Sequence, residues 1–398
     1  MANAGTVKLP APSAGRVDLL IIAGEHSGDQ HAAKLVRRLR DSQPTLKIAA
    51  LGGPELAAAG AQLLLDLTHS SVVGFVEVVR NLSFFARLMA QTVSWVREYQ
   101  PRAVCFVDYP GFNLRLAKML FEKGISHRAG GSVKTLFYIS PQIWAWKGGR
   151  RFTMAKHLDA LAVIFPFEVK SYADTSLRVS FVGHPFVADE YRSPVEYDAA
   201  GPVLLLPGSR KQAVSRIFPL MLAGYRAFQE RPAVVLYPSE TVAQVLRAAL
   251  PPMGVELRAM PRENGATQES GIARETGVTE PIRASAVLTS SGTMSMHCAL
   301  AGIPGTIVYR AHPFTYFLGR RLVKVPFIGI ANLLLNKPMY PEYIQGAATP
   351  EALAKELREC IRNPDRLART QTDAAELRTV LRQPAEADAA AWLAKQLE

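Results

Sequence analysis

Five clusters in this 398-residue sequence carry side chains suited to chemistry. Asp108 ends the apolar run Val104-Cys-Phe-Val107 and precedes Tyr109-Pro-Gly-Phe-Asn113. A carboxylate at the mouth of a cleft can take the proton of a sugar hydroxyl; an Asp before Pro-Gly is equally an ordinary turn residue. Leu206-Pro-Gly-Ser-Arg210 ends a second apolar run. There Ser209 offers a hydroxyl, the following helix start offers N–H groups, and Arg210 offers a bidentate donor for a diphosphate. Ser290-Ser-Gly-Thr293 repeats that layout, with Ser291, Gly292 and Thr293 beside the next helix. Gly24-Glu-His-Ser-Gly-Asp29 offers backbone N–H groups to an anionic or hydroxylated group, or else Ser27 or Asp29 caps a helix. Tyr138 to Trp146, followed by Lys147, Arg150, Arg151 and Lys156, sets flat aromatic faces beside cations. That pairing suits a ligand part apolar or sugar-like and part anionic, or it records two core tryptophans.

The elements that hold these clusters alternate between strand and helix. Apolar runs at Val17–Ala23, Ala103–Val107, Val133–Ile139, Leu158–Ile164 and Val179–Val182 read as buried strands. Helices are expected at Gln30–Arg40 and from Leu114 to Lys123. After Gly183-His-Pro-Phe186 and a polar stretch to Gly201, the pattern restarts at Val203–Leu206, a helix from Gln212, Ala233–Tyr237, Ala286–Thr289 and Thr306–Val308. Such alternation implies parallel sheets with crossover helices, whose ligands lie beyond the carboxyl ends of the strands. We therefore expect an α/β protein of two Rossmann-like domains, 1–186 and 187–348, facing a cleft, with a helical tail over 349–398. Arg262–Glu280 reads as a surface loop.

Hydrophobic content of 48% and charged content of 20% describe a globular chain. Its apolar runs all fall short of the roughly 18 residues that span a bilayer, and Met1–Gly15 has no apolar signal core. Three widely spaced cysteines suit a reducing compartment and make no zinc pattern. A net charge of +12 calls for an anionic partner. The cations are dispersed and no nucleic-acid motif occurs, which disfavours nucleic acid. Between Val72 and Val96, Phe75, Val79, Leu82, Phe84 and Phe85 mix with Arg80 and Arg87, as in an interfacial segment or an amphipathic core helix. Neither GxGxxG nor GxxxxGK[ST] is present, which argues against dinucleotide and P-loop sites.

Read in order, AGEHSGD (Ala23–Asp29), VDYPGFN (Val107–Asn113), YISPQIWAW (Tyr138–Trp146), FPFE (Phe165–Glu168), VGHP (Val182–Pro185), LLPGSR (Leu205–Arg210), SSGT (Ser290–Thr293), YRAHPFTYFLGRRLVK (Tyr309–Lys324), IANLL (Ile330–Leu334) and PEYIQ (Pro341–Gln345) resemble the lipid-A-disaccharide synthases. These are glycosyltransferases of the two-domain type B fold, GT-B. The resemblance implies transfer from UDP-2,3-diacylglucosamine to 2,3-diacylglucosamine 1-phosphate (lipid X), giving the β-1,6-linked disaccharide 1-phosphate and UDP. It implies Asp108 as the base of an inverting displacement, with Glu25, Ser27 and Asn113 near the acceptor, and Arg210, Asn332 and Gln345 near the nucleotide-sugar. No metal or cofactor is implied, so helix N-termini and Arg210 would face the leaving UDP. The resemblance also implies a cytoplasmic protein peripheral to the inner face of the inner membrane, and a homodimer that exchanges C-terminal segments.

Three positions depart from the family's pattern. Ala213 replaces the acid of GSRxxE, His297 the glutamate of SGTxxxE, and Ala331 the proline before Asn332. A neutral imidazole hydrogen-bonds a ribose hydroxyl only singly at each nitrogen, so His297 is expected as a weaker nucleotide contact. Two other functions fit these departures: a UDP-sugar epimerase of the same fold, or a weakly active or altered-donor relative that binds nucleotide-sugar or lipid.

Overall fold

A computed structural model describes residues 8–68, 82–189, 191–249, 254–260, 280–312, 316–317 and 325–398. The chain forms two compact units, Met1–Pro185 with Gln383–Glu398, and Phe186–Arg382. In the first unit, β1 (Leu19–Ala23), β2 (Ile48–Gly52), β3 (Gln62–Asp66), β4 (Ala103–Val107), β5 (Lys134–Tyr138), β6 (Ala160–Val163) and β7 (Arg178–Phe181) form one sheet in the order 3-2-1-4-5-6-7. Every neighbouring pair is parallel. All five residues of β1 and all five of β4 are buried, which explains their unbroken apolar sequences: helices cover both faces.

The covering helices are α1 (His26–Ser42), α2 (Pro54–Ala58), α3 (Leu82–Tyr99), α4 (Pro110–Glu122) and α5 (Arg150–His157). Helix α1 starts four residues before the expected Gln30, because Gly28 and Asp29 are helical. Asp29 caps a different helix. Fully buried, it accepts hydrogen bonds from Gly53 N (2.8 Å), Glu55 N (3.0 Å) and Leu56 N (3.3 Å) at the start of α2. The expected interfacial segment lies partly outside the described residues, and Phe75, Val79 and Arg80 with it. Phe84 and Phe85 are described: both are half-buried against the first core, and Phe85 meets Phe112 edge-on at 6.2 Å. For these two rings the core-helix alternative holds.

In the second unit, β9 (Val203–Leu206), β10 (Ala233–Tyr237), β11 (Val255–Ala259), β13 (Ala286–Thr289), β14 (Gly305–Tyr309) and β15 (Glu342–Ile344) run parallel in the order 11-10-9-13-14-15. A separate parallel pair joins β8 (Val195–Tyr197) to β12 (Ile282–Ala284). Packed helices include α6 (Lys211–Phe228), α7 (Glu240–Ala248), α8 (Thr293–Leu300), α9 (Ile330–Leu335), α10 (Pro350–Arg362) and α11 (Pro364–Leu381).

Residues 349–398 are divided between the units instead of forming one tail. Leu353 and Leu357 of α10 sit in the second core, and Arg366 of α11 is buried, donating to Gly305 O at 2.8 Å and to Glu356 Oε1 at 3.2 Å. The last helix, α12 (Ala389–Leu397), belongs to the first unit, where Lys134 Nζ donates to Gln396 O at 2.7 Å and Arg38 pairs with Asp388 at 3.5 Å. Each helix has one apolar face that must be buried somewhere, and the three faces find two different cores.

Asp29→Ala strips a helix start of its side-chain acceptor and leaves buried N–H groups unpaired. It should cost about 2 kcal/mol or more, read as a lower urea midpoint at unchanged slope.

Candidate active site

In each sheet the strand order reverses at one point, and there the crossovers leave in opposite directions and open a crevice at the carboxyl ends. In the first unit that point lies between β1 and β4, where Ala23 pairs with Val107. The segments Gly24–Ser27 and Asp108–Tyr109 therefore emerge side by side. Tyr109 lies against Gly24 so closely that a Cβ on that glycine would sit 2.2 Å from the ring. Glu25 is the extended N-cap of α1, whose first turn has no side-chain cap. Glu25, Ser27 and Asp108 are half-buried.

Asp108 and Tyr109 both occupy the left-handed region, with φ of +47° and +48°. Each such residue costs about 1–3 kcal/mol and persists only when its surroundings hold it. The hold is visible. Asp108 N donates to Tyr138 O at 3.0 Å, and Asn113 Nδ2 donates to Asp108 O at 2.7 Å, with longer contacts to Val107 O and Ile22 O at 3.4 Å. Asn113, expected to meet the acceptor, is thus completely buried and serves to aim Asp108. Burial first, and the Glu25 carboxylate second, push the Tyr109 phenol above its ordinary pKa, which places Glu25 close to that ring.

The segment after β5 runs beside this crevice and is fastened to the FPFE block. Ile139 has φ of +66°. Ser140 Oγ and Tyr172 OH lie 2.7 Å apart, Trp144 Nε1 donates to Glu168 Oε1 at 3.2 Å, and the Trp144 ring meets Phe167 edge-on at 5.2 Å. Glu168 Oε2 accepts from Phe165 N at 3.2 Å. Burial pushes the Glu168 carboxyl up to about 8, against these hydrogen bonds, so it holds a proton near neutral pH. The two tryptophans separate in role: Trp144 is half-buried in this latch, whereas Trp146 is 41% exposed.

In the second unit the strand order reverses between β9 and β13, with Leu206 paired to Thr289. The loops that follow are Pro207–Arg210 and Ser290–Gly292. Gly208 has φ of +110°, and a Cβ there would sit 3.0 Å from Ser290 Oγ, so the two loops touch. Arg210 and Gly292 are the N-caps of α6 and α8, and neither caps its helix with a side chain. Thr349, Asn363 and Asp388 cap α10, α11 and α12, whereas α5, α7 and α9 also start without a side-chain cap. Ser209, Arg210, Gly292 and Thr293 are exposed and Ser291 half-buried. Open N–H groups beside small polar residues and an arginine can receive a diphosphate.

Three residues of this unit make contacts within the protein. Asn332, completely buried, donates to Tyr340 O at 2.7 Å and to Glu342 Oε1 at 2.9 Å, and accepts from Tyr340 N at 2.9 Å. Gln345 accepts from Ala311 N at 2.8 Å and donates to Ala311 O at 3.2 Å. Both amides therefore fasten loops at the ends of β14 and β15. His297 is buried: its Nδ1 is committed to the Tyr191 hydroxyl, and its ring lies 4.1 Å from that of Phe186. Alongside Gln345, a pocket of about 460 Å³ is lined by Ser215, Arg216, Arg310, Ala311 and His312. Among the described residues, neither Arg216 nor Arg310 has a carboxylate partner.

A family model described as lipid-A-disaccharide synthetase matches residues 19–397. The chain belongs to that family. A lipid-A-disaccharide synthase from Geobacter metallireducens is 34% identical over 372 residues, covering 91% of this chain and 92% of the relative. Among solved structures, the glycotransferase of kitacinnamycin superposes with a TM-score of 0.54 at 14% identity, covering 96% of this chain and all of that one. A Listeria monocytogenes protein assigned as a UDP-N-acetylglucosamine 2-epimerase gives 0.56 at 12% identity, covering 89% and 90%. At such identities these two likenesses concern the GT-B fold alone.

The residues that sequence reasoning passed over are Glu168 and Tyr109. Only the Pro110 that follows Tyr109 hints at an unusual backbone there. Because its folded pKa is raised, Glu168 favours the folded state below the unfolded value of about 4.5, and that contribution fades as pH rises toward about 8. Glu168→Gln keeps the Trp144 acceptor and removes the titration. The melting temperature of the variant relative to the parent should climb between about pH 5 and 8 and level off above; a constant difference would place the titration elsewhere.

Proposed function

We propose that this protein joins UDP-2,3-diacylglucosamine to 2,3-diacylglucosamine 1-phosphate, forming the β-1,6-linked lipid A disaccharide 1-phosphate and UDP with inversion. The observation that carries this reading, within the family, is that both strand-order reversals bear complementary chemistry. One presents a carboxylate on a strained, clamped turn. The other presents two uncapped helix starts with Arg210.

The Asp108 carboxylate takes the proton of the acceptor 6-hydroxyl as its oxygen attacks the anomeric carbon of the donor. The bond from that carbon to the diphosphate oxygen breaks, and its electron pair leaves on UDP. Charge building on the diphosphate meets the N–H groups at the starts of α6 and α8 and the Arg210 guanidinium, an electrostatic stabilisation set before the reaction begins. Glu25 and Ser27 are assigned to acceptor hydroxyls. Ser209, Ser291, Gly292 and Thr293 are assigned to the diphosphate. Asn113, Asn332 and Gln345 act by fixing the loops. The Arg216–Arg310 pocket suits a further part of the anionic donor. An epimerase needs no lipid acceptor, and no observation on this chain favours it over transfer.

No helix among the described residues is long and apolar enough to cross a membrane. We propose that the protein works in the cytoplasm at the inner face of the inner membrane, where both substrates are anchored by their acyl chains. We also propose a homodimer built by exchange of C-terminal segments, for which α12 is the candidate element, since it follows the second unit in the chain and packs on the first.

Asp108→Asn should keep the melting transition and lower turnover by about two to four orders of magnitude, the worth of a general base. Radiolabelled donor and lipid X, with products separated by thin-layer chromatography, give the readout. Near-parental turnover in a folded variant removes Asp108 from the role.

A further inference from the structure

Three large hydrophobic side chains stand exposed among the described residues, and two of them lie within six positions of each other: Trp146 at 41% and Phe152 at 53%. They occupy the end of the segment after β5 and the start of α5. From the N-cap Gly149 along α5 the exposed positions are Gly149, Phe152, Thr153 and Lys156, a spacing of three and four that makes one helical face. The opposite face, Met154, Ala155 and His157, is buried. This stripe therefore lies outside the core by construction, and among the described residues the rings of Trp146 and Phe152 meet cations.

Those cations are arranged around the rings. Lys147 Nζ lies 4.4 Å and the Arg150 guanidinium 5.1 Å from the Trp146 centroid, and Arg151 lies 4.3 Å from that of Phe152. Arg151 is paired with Asp174. Lys147 and Arg150 have no carboxylate partner among the described residues. Lys156, exposed, approaches the Phe121 ring. The stripe thus combines a tryptophan, a phenylalanine and uncompensated positive charge on one surface.

From this arrangement we infer that Trp146, Phe152, Lys147, Arg150 and Lys156 form the surface by which the protein rests on an anionic phospholipid bilayer. Tryptophan prefers the headgroup level, phenylalanine reaches the acyl boundary, and lysine and arginine meet lipid phosphates with their stems along apolar surface. A soluble protein partner would have to match both a ring of cations and two isolated aromatics, which an anionic interface does without specific geometry. The position has a use: β5 neighbours β4, so the stripe belongs to the same strand-end edge as Asp108. A lipid acceptor held in the bilayer would reach the base without leaving the membrane. The inference rests on the membrane-associated reading above and adds the face.

The test is co-sedimentation of the full-length protein with vesicles of phosphatidylcholine alone or mixed with phosphatidylglycerol. The parent should bind the mixed vesicles, weakly bind the neutral ones, and release as salt rises. Lys147→Gln with Arg150→Gln should weaken binding about 25-fold, at about fivefold for each charge lost near an anionic surface. Trp146→Ser with Phe152→Ser should abolish sedimentation, while both double variants keep their melting temperature. If the parent ignores anionic vesicles, the membrane reading fails and the inference with it. If the parent binds and both variants bind equally well, only the inference fails. If the variants lose turnover in detergent as fully as on vesicles, the stripe serves the substrate site and the inference is overturned. Should the serine variant fail to fold, the charge variant, altered at side chains with no ion pairs, decides alone.

Discussion

All strands of a parallel sheet end on the same edge, and a sheet whose crossovers run outward in both directions must leave one gap between them. The placement of the proposed base and diphosphate loops follows from that topological constraint. The gap between β1 and β4 receives Glu25, Ser27 and Asp108, and the gap between β9 and β13 receives the serine- and glycine-bearing turns with Arg210. Neither set needs a dedicated scaffold. The strands are held by buried apolar runs, and the loops inherit their positions from the strand ends.

What the topology does not supply is aim, and side-chain amides supply it. Asn113 draws the carbonyl of Asp108 inward at 2.7 Å and so keeps two successive residues in a conformation that their side chains disfavour. Asn332 and Gln345 work likewise on the loops around β14 and β15. An amide suits this task because it carries no charge whose burial would have to be compensated; Asn332 and Gln345 donate and accept at once, whereas Asn113 only donates. Loops that must present polar groups to a ligand are thereby made rigid without using those groups themselves.

The strands and the turns after them were legible from the chain because unbroken apolar runs ending at Gly, Pro, Ser or Asp have few other readings in an α/β pattern. The start of α1 was not, since Ser-Gly-Asp reads as a turn, and the partners that settle Asp29 lie 24 to 27 residues away. Direction was also hidden. Sequence specifies that position 113 is an asparagine, but its amide faces backbone carbonyls brought together only by the sheet. His297 shows the same limit: its neighbours Phe186 and Tyr191 belong to a segment about a hundred residues earlier. The two tryptophans are two positions apart in sequence, and it is the contact of Trp144 with Glu168 that distinguishes them.

The division of the C-terminal helices has a consequence for biosynthesis. The chain leaves its first unit at Pro185, builds the whole of the second, and returns at Gln383 to lay α12 back on the first. Vectorial synthesis therefore finishes the second unit before the first. While α12 is still inside the ribosome, Trp392 and Leu393 cannot cover their part of the N-terminal unit. The half of the protein made earliest is the last to mature.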